Sequence, residues 1–324
     1  MRVAGRGPAA RHPHGGAAAV KKGLREELDL TDPSTLRAVA RRFGVRPRAA
    51  YGQHFLIDAG VREAIVDSLG PGPSDTVLEV GPGLGTLTQA LARRALRVVA
   101  VEVDPACVAA LGLTLHRVPG CRVVLGDIRR VDPAGLGLPP GHLAAGNLPY
   151  HLTGVILERL LAWDPAPAGV VVVVQREVGR RLAAPAGDWS LATLAVRLLA
   201  QVELVQELPP AMFWPAPRVH SALLRLRPEP GPGGVARARL LGLARPIFQA
   251  RRKQLGAAIA PVLGLTVAEA RGWLGAVGLD PTRRPGTLDC AEWQALRLAV
   301  DGGGGPRVRV AGRGRSRSPG TRGR

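Results

Sequence analysis

Cysteine is scarce in this sequence. Only Cys107, Cys121 and Cys290 occur among 324 residues, they lie far apart, and no Cys-x-x-Cys pair is present. The spacing therefore predicts neither a disulfide framework nor a zinc site, and the scattered histidines give no reason to expect another metal. A chain of this kind suits a reducing compartment, so we expect it in the cytoplasm.

Long apolar runs and lysine are also lacking. No run of 18 or more apolar residues occurs, so no membrane span is predicted. The formal net charge is +19, and the bases are almost all arginine, since only Lys21, Lys22 and Lys253 are lysine. Such a charge favours a polyanionic partner. The chain is rich in arginine, alanine, glycine and proline, which is also typical of coding bias. The charge therefore supports a polyanionic partner without establishing one.

The stretch Thr76–Gly85 organises the rest of the chain. Its apolar run ends on glycines at positions 81, 83 and 85, and a segment of good helix formers follows. The pattern predicts a buried strand, a glycine turn and a helix. Such a turn lets a ligand approach the backbone closely. The turn alone is compatible with a dinucleotide, with another nucleoside cofactor, or with a purely structural role.

Two acidic residues narrow the choice of cofactor. Glu102 ends the second predicted strand, about 20 residues beyond the first glycine, where parallel α/β sheets place a carboxylate on a ribose diol. Asp127 ends the third predicted strand in the same way. Pro82 removes a backbone donor that a pyrophosphate would need. The pattern therefore favours S-adenosylmethionine, with Glu102 on the ribose hydroxyls and Asp127 on the adenine amino group.

The alternation of strands and helices predicts a doubly wound α/β domain over residues 34–228. Pro228–Gly234 is a linker by composition, and residues 235–300 show helical periods with few strand signals. We therefore expect a second, smaller helical domain. The basic extensions, residues 1–33 and 301–324, are expected to be disordered.

Asn147–Tyr150, with the sequence Asn-Leu-Pro-Tyr, is predicted to carry the chemistry at the end of the fourth strand. A base amino nitrogen is a poor nucleophile because its lone pair is delocalised into the ring. The Asn147 side-chain oxygen and the main-chain carbonyl of Leu148 can accept its two hydrogens, and Pro149 presets the backbone. Tyr150 can stack on a flipped base. Such a site acts by positioning and electrostatics.

In this order, the motifs resemble those of the ribosomal RNA adenine dimethyltransferase family, over roughly residues 37–298. The resemblance adds Gly52–Leu56, with the sequence Gly-Gln-His-Phe-Leu, and the loop Leu208–Ser221. It implies a Rossmann-like S-adenosylmethionine-dependent methyltransferase sheet with a smaller C-terminal helical domain. His54 stands where many members have asparagine. The cofactor contacts that the resemblance implies are His54, Leu56, Gly81, Gly83, Glu102, Asp127, Ile128 and Asn147.

The resemblance also implies substrate contacts. Phe213 is expected to pair with Tyr150 around the target adenine. Arg251, Arg252 and Lys253 resemble the basic helix of the small-subunit branch and are expected to bind RNA. The implied function is dimethylation of the amino nitrogen of two adjacent adenines near the 3′ end of small-subunit ribosomal RNA. The implied protein is a monomer that acts within a pre-small-subunit particle, without a metal.

Two alternatives remain open at this point. The sibling branch methylates a large-subunit adenine and confers macrolide-type resistance, and the Arg/Gly tail is comparable to tails found there. A non-catalytic RNA-binding accessory protein on the same fold is the other alternative. The intact Asn147–Tyr150 motif argues against lost catalysis.

Overall fold

The computed structural model divides the chain into two compact units. One comprises Met1–Ala184 with Ala195–Gly231, and the other Pro185–Leu194 with Pro232–Arg324. The structure describes residues 27–47 and 53–302. Their roles as catalytic and RNA-binding domains stay a prediction.

A seven-stranded sheet forms the centre of the first unit, in the order β4-β3-β2-β5-β6-β9-β7. The five strands from β4 to β6 are parallel, and β9 and β7 add an antiparallel pair at one edge. A further short antiparallel pair joins β1 to β8. The strands are β1 Phe55–Leu56, β2 Thr76–Val80, β3 Arg97–Glu102, β4 Cys121–Leu125, β5 Leu143–Asn147, β6 Gly169–Gln175, β7 Ala200–Leu208, β8 Phe213–Trp214 and β9 Ser221–Pro228.

Helices cover both faces of this sheet. Over the whole described chain the helices are α1 Pro33–Arg42, α2 Ala59–Leu69, α3 Thr86–Ala92, α4 Pro105–Thr114, α5 Pro133–Leu136, α6 Thr153–Leu161, α7 Arg176–Ala183, α8 Leu191–Arg197, α9 Gly234–Gln249, α10 Leu255–Leu263, α11 Val267–Ala276 and α12 Cys290–Asp301, of which α9 to α12 belong to the second unit and not to this sheet. Successive strand residues point to opposite faces. Val172 therefore packs with Ile156 and Leu160 of α6, while Val171 packs with Ile65 of α2. Burial on both faces explains the continuous apolar strands of the sequence.

The parallel strands bring the functional segments to one edge of the sheet. The glycine turn follows β2, Asp104 follows β3, Asp127 follows β4 and Leu148 follows β5, all at carboxyl ends. Ligands bind at this edge in open α/β sheets.

Order begins earlier in the chain than the sequence indicated. The predicted disorder of residues 1–33 is wrong for residues 27–33, because Leu28 and Leu30 are buried in a cluster with Leu36 and Val39 of α1. Asp32 caps α1 through its side chain, which accepts from the amides of Ser34 and Thr35. Residues 1–26, 48–52 and 303–324, and with them Gly52 of the predicted Gly52–Leu56 motif, lie outside the described residues.

The second unit is helical, but its basic stretch is not part of a helix. α9 ends at Gln249, and Arg251, Arg252 and Lys253 form an exposed turn before α10. The predicted basic helix is therefore wrong at these residues. The chain must turn here because both Ile247 and Leu255 are fully buried. Among the described residues, no single helix is long and apolar enough to cross a membrane, and one bent pair, α10 with α11, passes by length and composition only.

Candidate active site

The glycine turn is built from positive backbone angles. Gly81, Gly83 and Gly85 have φ values of +69°, +58° and +99°, which favour glycine. A Cβ atom added to Gly83 would lie 2.9 Å from the Phe55 ring. The sequence requires glycine here because the turn is closely packed as well as sharply bent.

Glu102 is the buried carboxylate that joins this turn to the end of β3. Its carboxylate accepts from the amide of Gly83 at 3.0 Å and from the amides of Val103 and Asp104 at 2.8 Å each. Burial raises the pKa of Glu102, while these three amide donors favour its ionised form. The carboxylate is therefore held in a fixed orientation at the mouth of the turn.

Asp127 is engaged by a residue that the sequence reasoning missed. The Arg129 guanidinium donates to both carboxylate oxygens, with Nη2 lying 2.6 Å from Oδ2 and Nε 3.0 Å from Oδ1. This contact holds the pKa of Asp127 below its usual range. The bases at positions 129 and 130 were visible in the sequence, but only the structure shows which of them turns back onto the carboxylate.

Glu79 lies within the Thr76–Gly85 stretch, but the predictions gave it no role of its own. It lies in β2, is 1% exposed, and its Oε2 is buried without a hydrogen-bond partner among the described residues. Burial raises the pKa of Glu79 to about 8. The sequence did show an acid inside an otherwise apolar strand. Burying an ionised carboxyl group costs free energy unless the group is neutral or has a polar partner.

Asn147 has a fixed amide orientation. Its Nδ2 donates to the main-chain carbonyl oxygen of His54 at 2.6 Å. A carbonyl oxygen can only accept, so the amide nitrogen must face His54 and Oδ1 is left as the acceptor. The next residue, Leu148, is 1% exposed and donates its amide to Val173. The side chain of Leu148 is therefore a core residue, and only its main chain can serve the site.

The predicted aromatic pair does not form a ring contact in this structure. Tyr150 stacks on His54, with ring centroids 5.7 Å apart, and its hydroxyl lies 2.6 Å from Ser221 Oγ. His54 Nδ1 donates to the carbonyl oxygen of Pro215 at 2.7 Å. Phe213 is buried on the opposite strand from Leu56. The ring next to Tyr150 is thus His54, and the pairing of Tyr150 with Phe213 around an adenine stays a prediction.

One pocket collects all eight predicted cofactor residues. Tyr150 and Leu148 do not line it, while Phe213, Pro149, Glu79 and Arg129 do. The predicted cofactor residues that line it are His54, Leu56, Gly81, Gly83, Glu102, Asp127, Ile128 and Asn147.

These groups fit S-adenosylmethionine. The pocket combines apolar walls with the carboxylates of Glu102 and Asp127, which suits a cationic nucleoside, and with the buried carboxyl group of Glu79. Oε2 of Glu79 has no hydrogen-bond partner among the described residues, so a polar group of a bound ligand can meet it. No group of three or more metal-ligating side chains is found among the described residues.

The basic residues Arg251, Arg252 and Lys253 lie in the second unit and are exposed. The backbone of their turn is fixed by hydrogen bonds from Arg251 to Phe248 and from Lys253 to Ala250. The three side chains therefore lie on a turn and are open to solvent.

Comparisons with known proteins agree with this geometry. A model of the family described as ribosomal RNA adenine dimethylase matches residues 44–273. Ribosomal RNA small subunit methyltransferase A of Dehalococcoides mccartyi is 39% identical over 278 residues, covering 84% of this chain and 96% of its own length. The protein of the same name from Nocardia farcinica is 41% identical over 287 residues, covering 85% and 97%.

Two solved structures share the fold over most of the chain. The 23S rRNA methyltransferase ErmE superposes with a TM-score of 0.60 at 28% identity, covering 76% of this chain and 99% of its own. A dimethyladenosine transferase from Plasmodium falciparum superposes with a TM-score of 0.65 at 22% identity, covering 78% and 99%. At that identity the second likeness shows the fold alone.

Proposed function

The chain belongs to the ribosomal RNA adenine dimethylase family, and we propose that it dimethylates two adjacent adenines near the 3′ end of small-subunit ribosomal RNA. S-adenosylmethionine is the methyl donor. The curated relatives that cover nearly all of their own length are small-subunit methyltransferases by name, which favours this substrate over large-subunit RNA.

The observation that carries the proposal is the orientation of Asn147. Its Oδ1 is left to accept because Nδ2 is held by the His54 carbonyl, and Asn147 lines the pocket. An acceptor there can take a hydrogen of the adenine amino group and draw the nitrogen toward tetrahedral geometry. The Leu148 main-chain carbonyl would accept the other hydrogen. Since the Asn147 acceptor is fixed before the base arrives, little reorganisation of that group is needed at the transition state.

Each cofactor residue is assigned to one part of S-adenosylmethionine. When bound, S-adenosylmethionine supplies an electrophilic methyl group on a sulfonium. Glu102 is assigned to the ribose hydroxyls, from which its carboxylate can accept hydrogen bonds. Asp127 is assigned to the adenine amino group. That amino group competes with Arg129 for the carboxylate oxygens of Asp127. Gly81 and Gly83 admit the cofactor close to the main chain, and Leu56 and Ile128 add apolar wall.

Tyr150 and Phe213 are assigned to the substrate adenine. The Tyr150 ring is oriented by Ser221 and His54, and Phe213 forms part of the pocket wall. Both rings are therefore held in place by contacts within the first unit. Stacking on such rings stabilises an extruded base by about 1–3 kcal/mol each.

The wider setting follows from the same proposal. We assign RNA docking to Arg251, Arg252 and Lys253, a pre-small-subunit particle as the substrate, the cytoplasm as the location and a monomer as the active form. The first unit, which contains the whole pocket, is the catalytic domain under this proposal.

The decisive experiment compares RNA substrates. Purified protein and labelled S-adenosylmethionine are incubated with small-subunit and large-subunit particles separately, and the modified nucleotides are mapped. We expect dimethyladenosine in the small-subunit RNA. Methylation confined to the large-subunit RNA would support the resistance branch, to which the likeness to ErmE also points. RNA binding without methyl transfer to either subunit would support the accessory-protein alternative.

A further inference from the structure

The exposed face of α1 carries arginines without acidic partners. Arg37, Arg41 and Arg42 are exposed, and Arg46 follows just after the helix. None of these four has a carboxylate within ion-pair distance among the described residues. By contrast, Arg93 pairs with Glu27 at 2.8 Å and Arg94 with Asp67 at 2.8 Å.

The helix geometry collects three of these charges on one side. At about 100° per residue, Arg37 and Arg41 lie about 40° apart, and Arg42 lies about 100° further round. Buried Leu36, Val39 and Ala40 fall on the opposite side, while the small buried Ala38 lies within the arc that the three arginines span. The basic face is therefore directed away from the core.

The core beneath α1 belongs to the ligand-binding edge of the sheet. Leu36 and Val39 pack in one cluster with Phe55, Leu84 and Cys107. Leu84 follows the end of β2 and Cys107 follows the end of β3, so α1 covers the carboxyl edge of the parallel strands. Phe55 and Leu84 also line the active-site pocket. A substrate that brings a base to Asn147 must approach this same edge.

Helix stability does not account for the whole pattern. Arg41 and Arg42 in the last turn interact favourably with the helix dipole, by about 0.3–1 kcal/mol each. Arg37 lies in the middle of the helix and Arg46 beyond its end, where the dipole gives no such benefit. Four unneutralised guanidinium groups suit a partner with closely spaced negative charges.

We propose that the face of α1 formed by Arg37, Arg41 and Arg42 binds the phosphate backbone of the substrate RNA beside the active site. This inference rests on the proposed function for the identity of the RNA. It adds to the first unit an RNA-binding surface separate from the Arg251–Lys253 turn. Arginine suits this role because its planar guanidinium can donate two hydrogen bonds to one phosphate.

The test uses three full-length variants beside the wild type. R37Q/R41Q/R42Q removes the charges from the face, and R37K/R41K/R42K restores charge alone. The matched control R93Q/R94Q/R227Q removes three charges from ion-paired arginines that are each at least 45% exposed. Binding to an unmethylated small-subunit rRNA transcript is titrated over a KCl series, together with S-adenosylhomocysteine affinity and melting temperature.

We expect the glutamine variant to lower the slope of log affinity against log salt by up to about two, and to weaken binding roughly 10- to 50-fold near 0.15 M salt. The lysine variant and the control should keep most of the wild-type slope, and cofactor affinity should not change. Slopes that coincide for the wild type and the glutamine variant would overturn the inference, as would an equal loss in the control. If the transcript is bound with the expected slopes but only large-subunit RNA is methylated, the proposed substrate fails while the α1 surface stands.

Discussion

The side-chain amide of Asn147 is held by the main-chain carbonyl of His54, 93 residues earlier in the chain, at 2.6 Å. The contact uses the backbone of His54 and not its imidazole, which instead stacks on Tyr150. One residue thus orients the acceptor through its main chain and contacts the aromatic residue through its side chain. Because the Asn147 contact uses the main chain of residue 54, the orientation of Asn147 does not require a particular side chain at that position.

Asn147→Ala should reduce turnover by about 10²-fold or more. The variant loses one preset acceptor, which costs on the order of 3 kcal/mol at the transition state. Single-turnover methylation of small-subunit particles measures the effect, and calorimetry with S-adenosylhomocysteine should show a much smaller change. Near-normal turnover would remove Asn147 from the catalytic role.

Glu102→Gln should weaken cofactor binding by roughly 1.5–3 kcal/mol, because a charge-assisted hydrogen bond is lost. The substitution keeps the size of the side chain but replaces one of the two oxygens that accept from the amides of Gly83, Val103 and Asp104, so we also expect a lower melting temperature. Calorimetry with S-adenosylhomocysteine gives the affinity, and a melting curve reports the fold. An unchanged affinity would mean that the ribose lies elsewhere.

Arg129→Ala should strengthen cofactor binding by a few-fold. The Arg129–Asp127 pair is partly exposed and therefore weak, so releasing it is a small cost of cofactor binding. Arg130→Ala is the matched control, since it removes the neighbouring charge. Weaker binding in the Arg129 variant alone would indicate that Arg129 contacts the cofactor itself.

Glu79→Gln should flatten the pH dependence of stability. The pKa of Glu79 rises from 4.5 in its ordinary state to about 8 in the fold, so the unfolded chain binds fewer protons between these values. This group therefore lowers the free energy of unfolding by about 1.4 kcal/mol per pH unit from pH 4.5 to about 8. Denaturant unfolding from pH 5 to 8 should show the slope in the wild type and not in the variant. If wild type and variant showed the same pH dependence of unfolding free energy, Glu79 would not be the group that takes up the proton, and nearby Glu102 would be the next candidate.

Replacing Arg251, Arg252 and Lys253 by alanine should weaken RNA binding and reduce its salt dependence by up to about three phosphate contacts. Because these residues form a turn, their loss should not shorten a helix, and the melting temperature should hold. Cofactor affinity should also hold, since the pocket lies within the first unit. Identical salt slopes for wild type and variant would exclude this turn from the RNA-binding surface.

The sequence by itself determined the fold class, the family, the cofactor and the reaction, and the comparisons confirm these. It did so through features that act locally. Apolar runs that end on glycine specify buried strands and a turn, whatever the rest of the chain does, and the acids at positions 102 and 127 follow directly from the strand ends. The roles of individual residues in the site stay predictions.

Only the tertiary structure decided which polar groups meet. The His54–Asn147 bond and the pairing of β1 with β8 join segments far apart in sequence, so no local pattern specifies them. The turn at Arg251 exists because buried residues on both sides of it must reach one core, a demand that outweighs the helical propensity of arginine. Arg129 lies two residues from Asp127, yet its side chain could equally have extended into solvent. Long-range packing and rotamer choice, rather than residue type, set the final geometry of this site.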